Sequence, residues 1–136
     1  MNFQIKNFIE TQFSDLLIDL HNNFDFSNFF YDVDNHSLLL SWKKTVGDRV
    51  FEGGPSSLVF AHKNVNYLSV IPRDKEVPTS EDSCLEDITY FSKTNRENHG
   101  FLLDQSVPEQ DDDIIFIFQG GQKIRVNCDE IELIVT

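Results

Sequence analysis

The stretch from Asp113 to Thr136 constrains the fold more than any other. An apolar run, Ile114 to Phe118, meets Gly120-Gly121, and an alternating run follows with Ile124, Val126 and Cys128 on one side and Lys123, Arg125 and Asn127 on the other. Period-two alternation is what a strand buried on one face requires, and a Gly pair between two such runs signals a hairpin. After Asp129-Glu130, Ile131, Leu133 and Val135 alternate again. The expectation is a three-strand antiparallel meander with Lys123, Arg125 and Asn127 pointing outward. Cys128 is expected to sit inward as a small buried hydrophobe.

At 136 residues the chain has the length of a single domain, 1–136, and can bury about two thirds of its unfolded surface without metal or disulfide. Thirteen Phe against one Trp and one Met point to a core of phenylalanine rings packed on Ile, Leu and Val.

Residues 3–22 place Ile5, Ile9, Phe13, Leu16 and Leu20 at the three-and-four spacing of a helical face, with Asn2 as a cap and Asn22-Asn23 as a stop. The leading expectation is one amphipathic helix there. A competing reading makes Leu16 to His21 a strand, because Leu16, Ile18 and Leu20 also alternate. Strands are expected at Phe26–Val33, Leu38–Lys44, Leu58–Ala61, Tyr67–Ile71, Ile88–Ser92 and, as strand or extended chain, Phe101–Val107. A short piece, Arg49–Glu52, lies between the Gly47-Asp48 and Gly53-Gly54-Pro55 breaks. Residues 72–87, with two prolines and six acids, read as a mobile loop. The fold class is α+β, mostly antiparallel β. One N-terminal helix packs on a sheet, sandwich or half-barrel of about eight short strands over residues 24–136. No βαβ rhythm appears, which argues against a parallel sheet and its nucleotide site.

Net charge is −12, from 23 acidic and 11 basic residues. That opposes nucleic acid or an anionic membrane as partner, since both need a basic footprint. No leader pattern or membrane-span-like run is present, so the expected compartment is cytoplasmic.

Motifs for chemistry fail on spacing. Asp32 to Ser37 resembles the opening of a calcium loop, but Ser37 stands where the sharp turn needs Gly and Lys43 where a bidentate Glu is needed, so it reads as a hairpin turn. His21, His36, His62 and His99 are scattered and read as surface or turn residues. Gly53-Gly54-Pro55-Ser56-Ser57 is no nucleophile elbow, and Gly120-Gly121-Gln122-Lys123 is no phosphate loop. Cys84 and Cys128 have no CxxC spacing, and a disulfide between them has no support. The expectation is therefore no enzyme, no metal and no cofactor.

What remains is binding. The candidate partner-binding residues are the acids of the 72–87 loop (Asp74, Glu76, Glu81, Asp82, Glu86 and Asp87) and those of the next acidic link (Glu109, Asp111, Asp112 and Asp113). The run Phe29-Phe30-Tyr31 is too aromatic for both faces of one strand to bury, and Phe29 and Tyr31 are the candidate anchors there. The fitting partner is a basic protein. The alternative is a small apolar ligand held in a Phe-lined cavity. A homodimer through an exposed edge strand is compatible with both, and with an enzyme.

Four pieces occur together in order: Phe30-Tyr31-Asp32 ending in Leu38-Leu39-Leu40; Leu58-Val59-Phe60 followed by Asn64 to Val70; Leu85-Glu86-Asp87-Ile88; and the closing hairpin with Ile131-Glu132-Leu133. Over residues 24–136 the order resembles small bacterial β-rich proteins of unknown function, some grouped with immunity proteins of polymorphic toxin systems. The resemblance implies a stoichiometric binder without a cofactor and carries no functional residue with it.

Overall fold

The computed structural model describes residues 1–47, 53–98, 102–103 and 105–136. The expected piece Arg49–Glu52, His99 and the start of the expected strand at Phe101 lie outside them. The fold is mostly antiparallel β and sandwich-like, not a closed barrel. Its strands are β1 (Gln4–Lys6), β2 (Glu10–Phe13), β3 (Leu16–Asp19), β4 (Phe24–Asp32), β5 (Ser37–Lys44), β6 (Ser57–Lys63), β7 (Tyr67–Ile71), β8 (Leu85–Ser92), β9 (Asp112–Phe118), β10 (Lys123–Asn127) and β11 (Glu130–Val135). One sheet runs β7-β10-β9-β8, the other β11-β6-β5-β4, and β1-β2-β3 form a small third sheet. The two larger sheets therefore hold eight strands between them.

The N-terminal helix is replaced by that small sheet, with a single helical turn, α1 (Leu20–Asn23), after it. Of the residues at helical spacing, Ile5 and Leu20 are buried, Ile9 and Phe13 are half-buried and Leu16 is exposed, so strand pairing and not a helical face decides what is covered. Ile5 pairs with Thr11 and Thr11 with Ile18, and all three are buried in one stripe. Asn7, Phe8 and Ser14 take positive φ at the two turns. Asn and Ser are turn formers, and β-branched Ile5, Ile9, Thr11 and Ile18 favour a pleated surface over a helix. The competing strand reading of Leu16 to His21 holds for Leu16–Asp19, which is β3, while Leu20 and His21 enter α1. Asp19 then caps α1, accepting from the Asn22 N–H at 2.9 Å.

The closing meander is also corrected. β9 and β10 pair as the hairpin around Gly120-Gly121, but β11 leaves that sheet and pairs with β6. Asn66 N–H donates to Asn127 O, and Asp129 N–H donates to Lys63 O, so the chain turns a corner between layers at Cys128-Asp129. Alternation tells which face is buried, not which sheet the strand joins.

The core is aromatic. Trp42 lies 5.0 Å from Phe26, 5.3 Å from Phe60 and 5.7 Å from Phe116 between ring centroids, and Phe26 lies 4.8 Å from Phe118. Leu38, Leu40, Leu58, Ile88, Ile124, Val126 and Leu133 complete it, and Ile5 and Ile18 of the small sheet, with Phe3 just before it, join the same cluster. His62, expected at a surface or turn, is fully buried. β6 runs two residues further than expected, so His62 continues the inward series of Leu58 and Phe60.

The outer side of the β7-β10-β9-β8 sheet is covered as well. Arg125 and Asn127, expected outside, are 1% and 7% exposed. Arg125 donates from Nε to Asp113 Oδ2 at 2.6 Å and from its other nitrogens to the carbonyls of Asn98, Ser92 and Asn95. The segment after β8 is thereby folded back over the sheet.

The 72–87 segment is built rather than loose. Arg73 Nε reaches both carboxylate oxygens of Asp82 at 2.9 Å, Asp74 N–H donates to Gly120 O, and Gly120 N–H donates to Glu81 O. A Cβ at Gly120 would collide with Asp82 Oδ1, and one at Gly121, which holds φ +91°, would meet the Asp74 backbone at 2.9 Å. Gly120→Ala and Gly121→Ala are therefore each expected to cost about 1–3 kcal/mol of stability, measurable by urea denaturation. A cost below about 0.3 kcal/mol for both would mean the segment is not packed on the hairpin.

Candidate functional site

The two acidic segments do not form one surface. Leu85 pairs with Phe118 and Ser92 with Asp112, so residues 72–87 and 109–112 stand at opposite ends of β9. In the first segment Asp74, Glu76 and Glu86 are exposed, Asp74 closes its own turn by accepting from Glu76 N–H, and Asp82 is held by Arg73. Glu81 is half-buried. Asp87 is half-buried, and burial first, then the charge of Glu86, push its carboxyl above the ordinary carboxylate value.

In the second segment Asp113 is sequestered. Its oxygens accept from Arg125, from Nε and Nη2 of Arg96 at 3.0 and 3.1 Å, and from Asn127 Nδ2 at 2.8 Å. Burial pushes this carboxyl up, but the hydrogen bonds from Arg96, Asn127 and Arg125 outweigh it and hold it below the usual value. Asp113 is an internal strut and offers no surface to a partner.

Around its neighbours the fold opens a cleft of about 350 Å³ between the two sheets. Tyr90, Ile114, Val126 and Ile131, all buried, make the floor. Glu109, Asp111, Asp129 and Glu130 are exposed around it, and half-buried Asp112 accepts from the Gln105 side-chain amide Nε2 and from Glu109 N–H. Asp129 and Glu130, absent from the sequence candidates, arrive because β10 turns its corner there. Lys63 lies 3.7 Å from Glu130 and Lys93 lies 3.4 Å from Asp111, both as exposed pairs. Such pairs are worth about 0–1 kcal/mol and leave the rim negative. The Tyr90 phenol meets Met1 Sδ at 3.6 Å, and burial raises its pKa, so it stays a neutral hydroxyl. Among the described residues no three His, Cys, Asp or Glu side chains gather as metal ligands.

The aromatic run of β4 divides as its alternation demands. Tyr31 packs against the core, Phe29 is 37% exposed at the strand edge, and Phe30, not among the candidates, is the most open at 53%. Asp32 to Ser37 is the hairpin turn: Asp32 Oδ1 accepts from Asp34 and Asn35 N–H, and Oδ2 accepts from Asn35 Nδ2.

Both cysteines are free. Cys84 Sγ lies 3.7 Å from His21 Nδ1, but that nitrogen is 2.6 Å from Leu85 O and must carry its proton to donate there. It therefore cannot accept the thiol proton. Burial, then Glu81, Asp25 and Glu86, raise the Cys84 thiol, which is the reverse of activation. Cys128 is half-buried against the core, and its thiol is pushed up to about 12, mainly by burial.

The fold and cleft define an antiparallel β-sandwich with an acidic opening at one end. No known family model, curated protein or solved structure matches the chain. No helix among the described residues is long and apolar enough to cross a membrane.

Proposed function

We propose that this chain is a non-enzymatic acidic protein-binding module whose partner is a basic protein, with a Lys or Arg side chain entering the cleft between the sheets. The observation that carries this is the pairing of an apolar floor with a carboxylate rim. A long cationic side chain is amphipathic in the same sense: its stem lies on apolar surface and its head seeks anions. The net charge of −12 adds long-range attraction for a basic partner and speeds encounter. An immunity-type role, neutralising a basic toxin, is the form of this reading that the sequence resemblance favours.

The carrier alternative has less support, because the rings that would line its cavity touch one another across the core. An enzymatic role has less support too, since the Cys84–His21 contact is wired against proton transfer.

The test is retention of a basic protein from host lysate on the immobilised chain, comparing wild type with Glu109→Gln/Asp129→Asn/Glu130→Gln. Each rim charge is worth about 0.5–1 kcal/mol to an approaching cation, so the triple variant is expected to bind at least tenfold more weakly. Wild-type retention should fade at about 0.5 M salt, where surface charge is largely screened. Equal retention by the variant, or none by wild type at low salt, would sink the proposal.

A further inference from the structure

The four outer strands of the sandwich are not equally protected. On β11, Asn2 imitates a paired strand: its Nδ2 donates to Leu133 O at 3.0 Å and its Oδ1 accepts from Leu133 N–H at 2.7 Å. On β8, Ile88 N–H donates to Phe8 O. β7 is only five residues long and runs into Pro72. Short edge strands, Pro and covering segments are the usual protections against edge-to-edge pairing. β4 has nine residues, no Lys and no Pro. Among the described residues it is covered only at its start, where Phe26 N–H donates to Ser83 O.

The register identifies which of its backbone groups face out. Lys44 N–H donates to Ser56 O on the β6 side. Backbone groups alternate along a strand, so Leu38, Leu40 and Trp42 also turn toward β6, while Ser37, Leu39 and Ser41 turn toward β4. Their partners Asp32, Phe30 and Asn28 bond inward. The N–H and C=O of Phe29 and Tyr31 are left pointing outward.

We infer that β4 is a self-association edge, pairing antiparallel with β4 of a second copy about a two-fold axis at Phe30. Residues opposite each other in a sheet share a face, so the axis must bring one residue opposite its own copy. An axis at Phe29 or at Tyr31 yields two backbone hydrogen bonds before the strand meets the bulge at Ser27 or the turn at Val33. An axis at Phe30 yields four, because Phe29 and Tyr31 each exchange both bonds with the other's copy. The same register sets Phe29 beside Tyr31 of the second copy twice. It also sets Asn28 opposite Asp32 of the second copy, an amide facing a carboxylate instead of two carboxylates facing each other. Phe30 and Phe30 of the second copy meet on the outer face, continuing the row that Phe30 makes with Leu39 and Ala61.

About five residues per copy is below the size of a permanent interface, so a dissociation constant on the order of 100 µM is expected. Two chains of charge −12 repel, so added salt should tighten this dimer. A basic partner's binding would weaken with salt, so the dimer and the proposed function stand or fall separately.

Sedimentation velocity across concentration tests it. Wild type should show a reversible monomer–dimer equilibrium that strengthens between about 0.05 and 0.5 M salt. Phe30→Lys, at an outward and half-open position, should weaken it at least tenfold with an unchanged circular dichroism spectrum. Phe30→Cys should cross-link into a covalent dimer on mild oxidation, since Cα atoms of that pair would lie about 4.5 Å apart. Asn28→Cys and wild type, with Cys84 and Cys128 free, should not. A wild type monomeric to about 1 mM at either salt, a concentration well above that expected constant, overturns the inference, as does a Phe30→Lys variant that dimerises equally. A monomer whose β4 amides become protected only on adding a Lys-rich peptide gives the edge to a foreign strand and overturns it too.

Discussion

Asp113→Ala is expected to cost about 3–5 kcal/mol, the loss typical of removing one partner from a buried ion pair. Small domains have only about 5–15 kcal/mol to lose, so the variant should unfold at markedly lower urea or not fold at all. Asp113 is fully buried and is the common acceptor of two guanidinium groups. Without it, Arg125 is left as an uncompensated charge that is itself 1% exposed, and Arg96 loses its carboxylate while still lying 3.6 Å over the Tyr67 ring. The effect should also be local. Arg125 holds the carbonyls of Ser92, Asn95 and Asn98, so amide exchange over residues 93–98 should accelerate before the sandwich opens. Asp113→Leu/Arg125→Met removes both charges and should cost less than Asp113→Ala alone, because apolar side chains of similar size often replace a buried pair at little cost. A single variant within 1 kcal/mol of wild type, by equilibrium urea denaturation, would show that the pair does not hold this face together.

That cluster marks the limit of what the sequence makes legible. The strand pattern is read well where a period-two run ends in turn residues, as at Leu38–Lys44 or on both sides of Gly120-Gly121. It is read wrongly at residues 3–22, because the three-and-four spacing of Ile5, Ile9, Phe13, Leu16 and Leu20 is not what gets buried: pairing between three short strands buries Ile5, Thr11 and Ile18 in one stripe and leaves Leu16 exposed. Arg125 and Asn127 sit on the correct side of β10 for outward residues. They are buried because residues 92–98 return over them, a covering that no local pattern announces. The cleft follows the same logic. Glu109, Asp111 and Asp112 are visible as an acidic run, but Asp129 and Glu130 join them only because β11 crosses to the other sheet. Residues 72–87 look loose by composition, yet Gly120 and Gly121 lack side chains where Asp82 and Asp74 press on the hairpin. A sequence reader sees those glycines as turn residues and cannot see the second reason for them.

Acidification from pH 6.5 to pH 4 is expected to remove about 3 kcal/mol of stability through His62 alone. The ring is fully buried on β6, 5.9 Å from the Phe116 ring, with Nδ1 donating to Leu38 O at 3.2 Å and Nε2 without a partner among the described residues. Desolvation is the main cause that lowers its pKa from 6.5 to about 4, and the hydrogen bond to Leu38 offsets it only in part. The sign follows from proton counts. Between pH 4 and 6.5 the unfolded chain binds a proton at His62 that the folded chain refuses, so stability rises with pH across that window. It is full above about pH 6.5, falls as pH drops, and levels off below about pH 4, with each pKa unit worth about 1.4 kcal/mol. Asp113, held low in the fold, takes over at lower pH, below the ordinary carboxylate value near 3.8. His62→Leu removes the titrating group and its orphaned nitrogen together. Losing one long hydrogen bond while shedding an unpaired polar atom should leave stability at pH 7 within about 1 kcal/mol of wild type. The slope between pH 6.5 and 4 should flatten in the variant while the steeper loss below pH 4 remains. Urea midpoints measured at half-unit pH steps separate the two limbs. A wild-type curve that is flat down to pH 4.5, or a His62→Leu curve that keeps the wild-type slope, would place the acid sensitivity elsewhere in the fold.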